Sequence, residues 1–250
     1  MNNQHLNEKK TRLSVDYFEK MHIIKNRKED EVAIMLIQFN FKNFRSFREE
    51  VTLDLSATKM TEFSERVVTI GSEKILPIAA IYGANASGKS NIYSAFEYMA
   101  EYVVDSFKYG DEEEKFEEYR PTPFLFDSTS ADAESSFEVY FTIPGDKNEK
   151  TYNYGFCVDQ EGVTEEWLNS KAKTARKYST VFYRGNSDNE LDLSGLPKNS
   201  RDNIKIALEK QVLIASLGAK LKISKCKAIR DWFLINEFAD FGDPVTNFFL

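Results

Sequence analysis

From Met35 the chain alternates between apolar and polar side chains. Ile37, Phe39 and Phe41 fall on one side, Gln38, Asn40 and Lys42 on the other. A period of two predicts a half-buried strand. "EVTLDLSA" (50–57) repeats the pattern through Val51, Leu53 and Leu55, so the two segments are expected to pair antiparallel across "RSFRE". "ILPIAAIYG" (75–83) is apolar without interruption up to its glycine, the texture of a strand buried on both faces. The period then changes. Ile92, Ala95, Phe96, Met99, Val103 and Phe107 recur at three- and four-residue spacing and predict a helix that stops near Tyr109-Gly110. "GDEEEKFEEYRP" (110–121) reads as an acidic surface loop, its consecutive carboxylates scattered instead of converging on a metal ion.

Beyond it, alternation returns in "SFEVYFTI" (136–143), "TYNYGFCV" (151–158), "VTEEWLNS" (163–170) and "YSTVFYRG" (178–185), separated by turn residues. These predict a meander of hairpins. Helical spacing resumes in "NSRDNIKIALEKQ" (199–211), with a cap at Asn199 or Ser200, and in "KISKCKAIRDWFLINEF" (222–238). The first 34 residues are polar and mixed in charge and read as an extension outside the core. Four segments are therefore expected: the extension 1–34, a core 35–120, an antiparallel β segment 121–196 and a helical segment 197–250. The fold class is α/β.

Composition narrows the chemistry. Two cysteines, Cys157 and Cys226, lie far apart, and both histidines, His5 and His22, sit near the N-terminus, so neither a zinc site nor a disulfide framework is expected. The cysteines read as buried, inert thiols. No apolar run approaches the ~20 residues of a membrane span, and "MNNQHLNEKK" lacks the apolar region of a secretory signal. A cytoplasmic location is the expectation. A formal net charge of −7 opposes general binding to nucleic acid.

The chemistry concentrates in one place. Gly83-Ala84-Asn85-Ala86-Ser87-Gly88-Lys89-Ser90 satisfies G-x-x-x-x-G-K-[ST], preceded by the apolar run and followed by the predicted helix. Two glycines permit backbone angles that let successive amides point inward at phosphate oxygens. The helix N-terminus adds partial positive charge. In such a loop Lys89 reaches the β- and γ-phosphates and Ser90 offers its hydroxyl to Mg²⁺. Gly83 through Asn91 are thus candidate ATP-binding residues, Ser90 the metal ligand and Lys89 the residue that stabilises charge on the transferring phosphoryl group.

"FNFKNFRSFREEVTLDLS" followed by "IYGANASGKSNIYSAF" resembles the ABC-type ATPases of the RecF/SMC/OLD branch, nearest the bacterial AAA-domain ATP-binding proteins found in phage-defence and toxin–antitoxin systems. Asn43, Phe44, Arg45, Ser46 and Phe47 match the family's "NFRSF" element, and Asn85 its loop asparagine. Ala86 stands where the DNA-repair members often carry glycine. "YNYGF" (152–156) and "TEEWL" (164–168) look like the family's β segment after the loop. The resemblance implies a P-loop ATPase head with an added antiparallel sheet, ATP and Mg²⁺ as ligands, and a homodimer of heads that drives or switches a protein partner. It brings Arg45 and Ser46 toward the nucleotide, although Arg45 also reads as a plain turn residue.

Hydrolysis in that family also needs an apolar strand ending in Asp-Glu and an LSGG-like signature helix. Leu193-Ser194-Gly195 has Pro197 where its helix should begin to run and reads as a decoy. Asn236-Glu237 lacks the aspartate, and Trp232 and Phe233 share helical spacing with Ile229. The expectation is a chain holding the N-terminal part of a longer ATPase. A nucleotide-responsive module without hydrolysis and a DNA-repair ATPase are the alternatives.

Overall fold

The structure, a computed structural model, describes residues 35–57, 64–109, 113–143, 146, 148, 150–187 and 190–236. The extension 1–34, with His5 and His22, and Glu237 lie outside the described residues.

Alternating segments need neighbours on both edges, and the chain supplies them in one antiparallel sheet. β1 (Met35–Lys42) pairs with β2 (Val51–Asp54), placing Phe39 opposite Leu53. The other edge of β1 pairs with β5 (Ser135–Thr142), with Phe39 opposite Val139. Beyond β5 come β6 (Thr151–Val158), β7 (Val163–Lys171), β8 (Ser179–Arg184) and β9 (Leu191–Asp192), in the order β2-β1-β5-β6-β7-β8-β9. The expected meander is therefore present, and it shares a sheet with the strand pair that precedes the loop. A small hairpin of β3 (Val68–Ile70) and β4 (Glu73–Ile75) forms a separate two-stranded sheet, tied to the segment after β2 by the Ser56–Ile75 bridge.

One face of the sheet carries Phe39, Phe41, Phe137, Phe141, Tyr154, Phe156 and Phe182, all buried. Three helices cover it: α1 (Lys89–Asp105), α5 (Ile214–Lys220) and α6 (Ser224–Leu234). Ala95, Met99, Tyr102 and Val103 of α1 enter the core as their spacing predicts. Trp232 of α6 packs on Phe141, with ring centroids 4.4 Å apart, and on Phe96 of α1. Each such ring contributes roughly 1.5–3 kcal/mol by leaving water. Cys157 and Cys226 are buried and free, and burial pushes the Cys226 thiol up to about 12.

The far end of α1 is bolted to the start of α5. The Tyr102 hydroxyl donates to the Gln211 carbonyl (2.9 Å), the Leu213 amide to Ser106 Oγ (3.1 Å) and the Phe107 amide to Ser216 Oγ (3.1 Å). Glu166 of β7 completes the joint. Its carboxylate is fully buried and accepts from the amides of Ile214 (2.6 Å) and Ala215 (3.0 Å) and from the Tyr154 hydroxyl (3.1 Å). Burial pushes Glu166 up to about 7, against the opposing pull of the Ala215 and Ile214 amides, the Arg184 guanidinium and the Tyr154 hydroxyl.

Four local expectations are corrected. The strand expected over 75–83 stops at Ile75. Its last pairing is the Leu76 amide on the Leu55 carbonyl (2.7 Å), and among the described residues no strand pairs with 77–83. Ile78 is 79% exposed and Tyr82 91%; an apolar run makes a strand only where a neighbour pairs with it. The acidic segment contains a short helix, α2 (Glu113–Glu118), because Phe116 is buried against Tyr109. A single further turn, α3 (Ser128–Ala131), starts where the Asp127 side chain accepts from the Thr129 amide. The helix expected over 199–211 is α4 (Lys198–Ala207), with Pro197 at its cap, and the one expected from 222 begins at Ser224. Between them α5 has no polar face: every residue from Ile214 to Ala219 is buried, so it lacks a helical period. Its Gly218 permits close crossing, since a Cβ there would sit 2.5 Å from Cys226 Sγ.

Candidate functional site

The turn between β1 and β2 is shaped by its own residues. Asn43 and Arg45 adopt left-handed angles, φ 52° and 51°. Asn43 is buried and anchors the turn: Nδ2 donates to the carbonyls of Ser130 (2.8 Å), Ala133 (2.9 Å) and Glu134 (3.2 Å), and Oδ1 accepts from the Phe124 amide (3.0 Å). So held, the turn presents Ser46 and Phe47 to the glycine-rich loop. Asn91 Nδ2 donates to Ser46 Oγ at 2.7 Å. A Cβ on Gly88 would fall 2.9 Å from both the Phe47 ring and Ser46 Oγ.

The loop runs from Gly83 to Gly88 and opens α1 at Lys89. Gly88 takes φ 88°, a left-handed angle that turns the chain into the helix. Ala86 also takes a left-handed φ, 61°. An L-residue there carries roughly 1–2 kcal/mol of strain. The Ser87 amide reaches back to the Ala84 carbonyl (3.3 Å), and the Ser87 side chain fills the space beside Gly83, where a Cβ would meet its Oγ at 2.8 Å. Lys89 folds over the loop, its Nζ donating to the carbonyls of Gly83 (2.8 Å) and Ala84 (2.6 Å). Gly83, Ala84, Asn85, Ala86, Ser87 and Ser90 are exposed. The result is an open cradle at a helix N-terminus with an ammonium across it, the arrangement that accepts phosphate.

The fit to ATP and Mg²⁺ rests on that donor set. The backbone from Gly83 to Gly88 and the Lys89 ammonium suit phosphate oxygens, and the exposed Ser90 hydroxyl suits a hard cation. Arg45 is placed differently from its neighbours. Its amide donates to the Thr122 carbonyl (2.8 Å), and its guanidinium lies 5.3 Å over the Phe44 ring. There it lines a small recess with Ser94 and Glu97 of α1.

Two residues that matter most to the setting carried weak signals. Asn43 was legible only through the family's "NFRSF" element. Glu166 shares its strand face with Leu168, as alternation over "TEEWL" would place it, and a carboxylate on an apolar face is the sign of a buried partner network. Leu193-Ser194-Gly195 is a packed turn: Asp192 accepts from the Ser194 amide (2.7 Å), and the Gly195 amide donates to the Val181 carbonyl (3.0 Å).

Residues 78–210, more than half of the chain, match the model of a family described as "AAA domain, putative AbiEii toxin, Type IV TA system". Comparison with curated proteins and with solved structures gave no match.

Proposed function

We propose, because the chain belongs to the AAA-domain family that its residues 78–210 match, that Gly83–Ser90 binds ATP with Mg²⁺. The observation that carries this is Lys89 folded on the carbonyls of Gly83 and Ala84 over an exposed loop at the start of α1. Lys89 would exchange those carbonyls for the β- and γ-phosphate oxygens, the amides from Gly83 to Gly88 would hold the remaining oxygens, and Ser90 would hold Mg²⁺. When bound, Mg²⁺ would supply positive charge that offsets charge on the phosphates. Ser46, tied to Asn91, and Phe47, packed on Gly88, fix the loop's entry into the helix.

The finer reading is an ABC-type head of the RecF/SMC/OLD branch, cytoplasmic, dimerising through its nucleotide face and switching a protein partner, with phage defence as the setting. ATP hydrolysis would then draw on a carboxylate pair and a signature helix beyond the described residues. A second reading, nucleotide binding without turnover, is favoured by one observation: among the described residues no apolar strand ending in Asp-Glu lies beside the loop. Hydrogen exchange of the loop amides tests the shared claim. Saturating ATP with Mg²⁺ should slow exchange across Gly83–Asn91, and unchanged exchange there would reject it. Phosphate release measured alongside separates turnover from binding alone.

A further inference from the structure

A second cavity lies at the other end of the molecule from the loop. α1 has 17 residues and spans about 25 Å. The cavity lies beyond the far end of this helix, where Tyr102 bonds Gln211, the neighbour of Lys210. Its volume is about 460 Å³, within the roughly 300–1,000 Å³ of small-molecule sites. Arg184 at the end of β8, Lys205 of α4 and Lys210 bring three cations to it, and among the described residues no Asp or Glu lines it. In a chain of net charge −7 that sign is the reverse of the average surface.

The three cations differ in what already holds them. Arg184 donates to the carbonyls of Val212 (2.8 Å) and Glu209 (3.1 Å), so its guanidinium is fixed, with buried Glu166 behind it. Lys210 pairs with Glu161. Lys205 has no hydrogen-bond or ion-pair partner among the described residues. Glu190 packs over Gly185 at the rim and limits the attraction for anions. Val163, Leu191 and Leu208 add apolar surface to the lining. The lining thus combines groups that suit a compact anion with groups that suit an organic body.

We propose that this cavity binds a small organic phosphate, its phosphate among Lys205, Lys210 and Arg184 and its body against Val163, Leu191 and Leu208. A phosphate monoester carries about −1.5 to −2 charge near pH 7, which suits a cavity lined by several cations better than a single carboxylate would. The site is separate from the phosphate loop and does not depend on it.

The test is calorimetric titration with phenyl phosphate, performed in Lys89→Ala so that the loop does not compete. Saturable binding is expected, tighter than that of inorganic phosphate. Lys205→Glu should weaken it at least about tenfold, since a like charge opposite the ligand is strongly unfavourable, while Lys177→Glu on the exposed 173–178 segment should leave it unchanged. Absence of saturation up to about 10 mM, beyond the millimolar affinities such a site would give, overturns the proposal. So does equal binding by Lys205→Glu, or equal weakening by Lys177→Glu, which would reduce the effect to general charge attraction.

Discussion

Replacing Glu166 by glutamine isolates one buried charge and gives it a measurable pH signature. Glu166 titrates at about 7 in the folded protein against a reference of 4.5. The folded state therefore holds a proton that the unfolded chain has released anywhere between those values. Stability from this group is fully present below pH 4.5 and is lost as pH rises through 7. Each unit of difference is worth 1.36 kcal/mol, so the interval amounts to about 3 kcal/mol. Glutamine cannot titrate. It keeps an acceptor for one of the Ile214 and Ala215 amides and turns a donor toward the other, a constant penalty of about 1–3 kcal/mol. Urea unfolding of both proteins from pH 4.5 to pH 8 reads the difference. The variant should be the less stable at acid pH and should gain on the parent by about 3 kcal/mol as the pH rises. Parallel curves across that range would refute the claim that Glu166 is a buried carboxylate held above its ordinary range.

The turn and the loop give three further tests. Asn43→Ala removes donors from three carbonyls and the acceptor of the Phe124 amide; a loss of about 3 kcal/mol in urea unfolding is expected, and a loss within about 0.5 kcal/mol of zero would mean the anchor is idle. Gly88→Ala places a Cβ 2.9 Å from Phe47 and Ser46 at φ 88°, so it should cost about 2 kcal/mol and weaken ATP binding; unchanged affinity would contradict the clamp. Ala86→Gly should relieve the strain of φ 61° and raise the urea midpoint by an amount equivalent to about 1 kcal/mol.

Much of the fold could be read from spacing because burial on one face enforces it. Phe39 and Phe41 point into the core as their alternation requires, and Met99 and Val103 lie on the inner stripe of α1. Reading failed where spacing and burial part company. The run 76–83 has the composition of a buried strand, but pairing comes from a neighbouring strand that no local pattern reveals. α5 is buried at every position from Ile214 to Ala219, so its sequence carries no period. The loop's place at the opening of α1 was legible, since its glycines and Lys89 directly precede a helical period. Its supports were less so: Ser46 and Asn91 meet across 45 residues, and only the fold brings them together.

On the proposed reading the loop from Gly83 to Ser90 holds the phosphates of ATP. Calorimetric titration of the protein with ATP and Mg²⁺ measures it directly. One saturable site of roughly micromolar affinity, about −8 kcal/mol, is expected, weakened when Mg²⁺ is withheld and lost in a folded Lys89→Ala variant. No saturable heat, or binding that Lys89→Ala leaves intact, would contradict it.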